Sequence, residues 1–111
     1  LDLFIGREGA LCQLYRNDGA AGFVDIAREA GVLNGRFTKA AVWGDYNNDR
    51  LPDLYLSNYD GDNRLYRNNG NNTFTDVAPE LGVTGPRQGF PAWFFDVNND
   101  GRLDIYASSY N

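Results

Sequence analysis

A chain of 111 residues is long enough for one modest domain with its own core, and 42% apolar residues set it apart from a disordered tail. A net charge of −5, from 10 basic and 15 acidic side chains, argues against the basic face that a nucleic-acid binder needs, and no apolar run approaches the ~20 residues of a membrane span. With no His and a single cysteine, Cys12, the chain has no His-based acid–base chemistry, no His–zinc site and no internal disulfide.

From the N terminus, LDLFIG (residues 1–6) reads as a strand that follows an acidic loop whose front half is missing. The apolar context ALCQL makes Cys12 a small buried hydrophobe. LYRN (residues 14–17) opens a long segment that ends in REAGV, a candidate for one helical turn. AAVWG (residues 40–44) is the next strand, and the acidic loop DYNNDRLPD (residues 45–53) follows it. DLYLSN (residues 53–58) is a strand rich in Leu and Tyr; DGD makes a turn, and NRLYRN (residues 63–68) follows. Asn69-Gly70 is a hairpin signal, because both residue types tolerate positive φ. TFTDVA (residues 73–78) alternates apolar and polar, the mark of a half-buried strand, and PELGV offers a second helical turn. PAWFF (residues 91–95) then leads into a second acidic loop, DVNNDGRLD (residues 96–104), and a last strand, LDIYAS.

The chain repeats itself. Laid over itself at an offset of 51 residues, without gaps, it shows 23 identities in 60 pairs, where chance gives a handful. Asp2, Asp53 and Asp104 align with one another. Four strands per repeat of about 50 residues predict an all-β protein made of four-stranded antiparallel β-propeller blades. About two blades fit in the chain, which begins and ends inside its repeat unit. Residues 1–38 are expected to hold the last three strands of a partial blade, residues 39–88 a complete blade with the first acidic loop, and residues 89–111 the start of the next with the second. Two blades cannot close a ring, so the expectation is self-association into a homo-oligomer or membership of a longer propeller. Trp43, Trp93, Phe94 and Phe95 would otherwise be exposed and sticky.

Both acidic loops read D-x-N-x-D-x-x-x-D. Oxygen donors at alternate positions wrap around one point, and Ca²⁺ is the hard cation that takes six to eight of them. The expected ligands are Asp45, Asn47, Asp49, the carbonyl of Leu51 and Asp53 in the first loop. In the second they are Asp96, Asn98, Asp100, the carbonyl of Arg102 and Asp104, so two Ca²⁺ per chain are expected. An EF-hand needs Glu at position 12, where this chain has Leu56 or Ala107 inside a strand. Mg²⁺ demands stricter octahedral geometry, and softer metals want Cys or His. The metal-free alternative is a pair of Asx-rich turns. Position 6 is Gly101 in one loop and Arg50 in the other; if φ is positive there, Arg50 carries ~1 kcal/mol of strain.

GDYNNDRLPDLYLSN followed by NRLYRNNGNNTFTDVAPELGV resembles the FG-GAP/VCBS repeats, the calcium-binding propeller blades of integrin α-subunits and of many secreted proteins. Within these it most resembles the cartilage-acidic-protein-like group. The resemblance implies Ca²⁺ held on one rim by the ten residues named above, and an extracellular or periplasmic location. Arg50 departs from the usual Gly, and GFPAWFFD (residues 89–96) is the nearest equivalent of the family's Phe-Gly and Gly-Ala-Pro signature.

The leading expectation is therefore a non-enzymatic, calcium-binding scaffold that presents a face to a protein or glycan partner. A lectin is the alternative, with Trp43, Tyr55, Tyr59, Tyr66 and Trp93 as candidate sugar-stacking rings. Catalysis by paired carboxylates is disfavoured, because the close Asp clusters read as cation ligands and Asp25 and Asp76 recur in every repeat. Arg16 and Arg67 are expected to pair with nearby acids such as Asp25 and Asp76.

Overall fold

A computed structural model describes residues 1–110. It is all-β, with three antiparallel sheets. β1 (Leu3–Ile5), β2 (Gln13–Asn17) and β3 (Phe23–Asp25) form the first, in that order. β4 (Thr38–Gly44), β5 (Asp53–Asn58), β6 (Arg64–Asn68) and β7 (Phe74–Asp76) form the second as a four-stranded meander. β8 (Gly89–Phe95) and β9 (Asp104–Ser109) pair as a third. Each link between sheets carries one helical turn, α1 (Ala27–Ala30) or α2 (Ala78–Leu81), where REAGV and PELGV suggested it.

Packing on both faces of the middle sheet explains why β5 does not alternate: all six of its residues are buried. One cluster joins Leu14, Ala27 and Val32 of the first sheet's segment to Leu54, Leu56 and Tyr66 of the second. The other joins Tyr55, Leu65, Val77 and Ala78 of the second to Ala92, with Phe94, Ile105 and Ala107 packed alongside. Each fully buried Leu contributes about 1.5–3 kcal/mol. The clusters use repeat-equivalent positions: Leu14 and Leu65, Ala27 and Ala78, Leu54 and Ile105 are each 51 residues apart. Gly44 sets the approach of the second interface, since a Cβ there would lie 2.5 Å from the Phe94 ring.

Asp25 and Asp76 have the same structural job. Oδ1 of Asp25 accepts the amides of Leu14 and Ala27, and Oδ1 of Asp76 those of Leu65 and Ala78, tying each helical turn to the strand beneath it. The expected arginine partners are corrected. Arg16 pairs with Asp18 at 2.7 Å, and Asp76 pairs with Arg64 at 2.8 Å. The reason is pleating: Arg67 stands opposite Thr75 and Arg16 opposite Val24, one residue out of step with Asp76 and Asp25, and successive side chains point to opposite faces. The Asn69-Gly70 turn is also longer than a two-residue hairpin. Gly70 and Asn72 carry the positive φ values, and Asn69 closes the loop by donating its amide to Thr73 O at 2.9 Å. Cys12 is buried, donates Sγ–H to Val32 O, and burial pushes its thiol pKa up.

Candidate metal centre

The first acidic loop joins β4 to β5, and the second joins β8 to β9. Both close through the same backbone hydrogen bonds. Asp45 accepts the amides of Asp49 (3.1 Å) and Arg50 (2.8 Å), and Asp49 accepts that of Leu51 at 2.9 Å. In the second loop Asp96 accepts Asp100 (3.1 Å) and Gly101 (2.8 Å), and Asp100 accepts Arg102 at 2.9 Å. The ninth residue reaches back to the second: Tyr46 N donates to Asp53 Oδ2 at 3.2 Å, and Val97 N to Asp104 Oδ2 at 2.9 Å. The loops touch, since the Asn48 side chain donates to Gly101 O at 3.3 Å.

This wrapping brings one carboxylate oxygen each of Asp45, Asp49 and Asp53 within 4.8 Å of one another. Among the described residues no second trio of this kind occurs; Asp96, Asp100 and Asp104 share the backbone hydrogen bonds but not the cluster. Asn47 is exposed at the loop surface. Leu51 and Arg102 donate their amides to Asp49 and Asp100, two residues back in each loop.

Asp53 is fully buried. Burial pushes its carboxyl pKa up, the amides of Asn68 and Tyr46 pull it back, and the negative charges of Asp49 and Asp45 raise it again. An anion that is desolvated and repelled by two neighbours is relieved by a divalent cation. In the second loop, one end of the Asn98 carboxamide lies 3.1 Å from Asp96 Oδ1 and 3.2 Å from Asp100 Oδ1. With only protons to share, that end is the NH₂ group, donating to both. A cation seated among the three requires the oxygen there instead. The donor set is entirely oxygen, which fits Ca²⁺ and does not suit a soft metal.

Position 6 has φ 68° at Arg50 and 82° at Gly101, so the loop does demand the left-handed region there. Position 4 demands it too, with φ 59° at Asn48 and 58° at Asn99. The repeated Asn-Asn-Asp spelling carried that second signal, because Asn is the side chain most tolerant of this conformation after Gly. The role of Asn68 was hidden: its amide donates to Asp53 Oδ1 at 2.8 Å from 15 residues away, and a backbone donor leaves no mark on residue type.

The family model for an FG-GAP-like repeat matches residues 45–107, more than half of the chain. The chain belongs to that family. Among curated proteins it is similar to cartilage acidic protein 1, at 35% identity over 88 residues for the mouse protein, 34% for the human and 31% for that of Xenopus tropicalis. Each match covers 78% of this chain but only 13–14% of the relative, so the chain spans about one seventh of the length of the curated relatives it matches.

Proposed function

We propose that this chain is a calcium-stabilised repeat module of a β-propeller, a non-enzymatic scaffold whose cation sites hold the rim loops while other surfaces meet a protein or glycan partner. The observation that carries this reading is the convergence of Asp45, Asp49 and Asp53 within 4.8 Å, on a loop whose backbone pattern recurs at residues 96–104. Ca²⁺ is the ion, two per chain, and its role is to cancel repulsion rather than to activate a substrate. The sheets of three, four and two strands fit four-stranded blades seen in part, whole and in part. Extracellular Ca²⁺ modules bind weakly and stay filled where Ca²⁺ is abundant, so this reading goes with an extracellular or periplasmic setting. Among the described residues no helix is long and apolar enough to cross a membrane. The lectin reading loses Tyr55 and Tyr66, which are buried, and keeps Trp43, Tyr59 and Trp93, which are exposed.

Terbium luminescence tests this directly. Tb³⁺ takes Ca²⁺ ligand sets, and Tyr46 lies inside the first loop as a sensitiser. Sensitised emission that Ca²⁺ displaces, and that Mg²⁺ displaces only at far higher concentration, is expected. No sensitised emission, or equal displacement by both ions, would refute the assignment.

A further inference from the structure

We propose that the Asn69-Gly70 turn is a deamidation site, and that the carboxylate formed at position 69 closes an ion pair with Arg67 that the first sheet already contains.

The chain has two Asn-Gly pairs, Asn34-Gly35 and Asn69-Gly70. Glycine after asparagine favours loss of the side-chain amide, because no Cβ shields the following main-chain nitrogen. At the second pair, Gly70 N attacks Cγ of Asn69. The new N–Cγ bond closes a cyclic imide, the Cγ–Nδ2 bond breaks, and Nδ2 leaves as ammonia with the proton from the Gly70 amide. Water then opens the imide at either carbonyl, giving aspartate or its isoaspartyl isomer.

The two pairs stand in opposite settings. Asn69 and Gly70 are exposed at the tip between β6 and β7. The Asn69 carboxamide bonds to the hydroxyls of Thr73 and Thr75, both at 3.1 Å, where water can replace them at little cost. Asn34 is 2% exposed, and its carboxamide donates to Thr38 Oγ1 at 2.8 Å and Asn58 Oδ1 at 3.0 Å. Ring closure there would break both bonds in a dry site.

The repeat shows where the product carboxylate goes. Asn68, Asn69 and Gly70 align with Asn17, Asp18 and Gly19. The two turns are built alike. Gly70 N donates to Asn68 Oδ1 at 2.9 Å, and Gly19 N to Asn17 Oδ1 at 2.9 Å. Asn69 N donates to Thr73 O at 2.9 Å, and Asp18 N to Gly22 O at 2.8 Å. In the first turn Asp18 takes Arg16 through two bonds, of 2.7 and 3.0 Å. Arg67, the repeat equivalent of Arg16, has no ion pair among the described residues. Deamidation therefore puts a carboxylate where Arg67 lacks one. The Thr73 and Thr75 hydroxyls can turn and donate to it.

Peptide mass mapping of the full folded chain, after incubation at mildly alkaline pH, tests the site beside a sample held in guanidinium chloride. Trypsin separates the two pairs, into residues 29–36 and 68–87. In the denatured sample both peptides should gain the mass of an amide-to-acid exchange. In the folded sample only residues 68–87 should, with fragmentation placing the change at residue 69 and an isoaspartyl methyltransferase reporting the isomer. A folded chain that keeps the Asn69 amide while the denatured one loses it overturns the site. The ion pair is read from Asn69→Asp by NMR titration of the new carboxyl. It should titrate below the ordinary aspartate range, and return toward that range in Asn69→Asp/Arg67→Gln. A carboxyl that titrates alike with and without Arg67 overturns the pairing.

Discussion

Asp53 Oδ1 accepts the amide of Asn68 at 2.8 Å, so the last residue of the acidic loop also anchors the end of β6. Removing that carboxylate leaves two amides, of Asn68 and Tyr46, without an acceptor beneath a buried position. Asp53→Ala should cost about 2–4 kcal/mol in urea unfolding. Asp53→Asn keeps one carbonyl acceptor and sheds a buried charge, so in chelator it should unfold within about 1 kcal/mol of the parent, yet lose most of the stabilisation that Ca²⁺ gives. Equal Ca²⁺ responses from the Asn variant and the parent would rule Asp53 out as a ligand.

The pH dependence follows from the same group. The Asp53 pKa is raised in the folded, metal-free chain, chiefly by burial. The folded state thus holds this proton to higher pH than the unfolded state does. Its contribution to stability falls as pH rises from the ordinary carboxylate value through the raised one. A bound cation reverses this by favouring the charged form. The gain in melting temperature from Ca²⁺ should therefore be large near pH 7 and shrink toward pH 4, where protons compete for the same oxygen.

Arg50 holds φ 68° where the second loop has Gly101. Arg50→Gly relieves left-handed strain but adds freedom to the unfolded chain. A net gain of about 0.5–1 kcal/mol is expected, with tighter Ca²⁺ binding to the first loop. Gly101→Arg should do the reverse in the second loop. Thermal unfolding with and without Ca²⁺ checks both.

Gly44 has no room for a side chain against Phe94, whose ring atoms would lie 2.5 and 2.6 Å from an added Cβ. Gly44→Ala should cost about 1–3 kcal/mol as the third sheet is pushed off the second. The same change at Gly9, where nothing lies within 4 Å of an added Cβ, separates crowding from backbone effects, since its φ of 71° makes strain the only cost there.

The repeat made much of the fold legible. Identical spelling at a fixed offset carried the strand order, and DLYLSN matches β5 residue for residue. The acidic loops were legible for the same reason, because Asp and Asn alternate in the same D-x-N-x-D-x-x-x-D spelling in both. Features set by the backbone were not legible. The Asn68 amide under Asp53 has no sequence signature, and the face on which Arg67 lies depends on a strand register that residue type does not reveal. The difference between the loops, one with a carboxylate trio and one without, has no mark in a spelling they share; in the structure Asp53 is fully buried and Asp104 only half-buried.

The most direct measurement is a calorimetric Ca²⁺ titration of chelator-stripped protein, with thermal unfolding followed on the same samples. Two sites per chain are expected, the one at Asp45, Asp49 and Asp53 coupled to a rise in melting temperature as Ca²⁺ binds the folded state alone. No heat of binding and an unchanged melting temperature at millimolar Ca²⁺ would contradict a calcium-stabilised module and reduce both loops to Asx-rich turns.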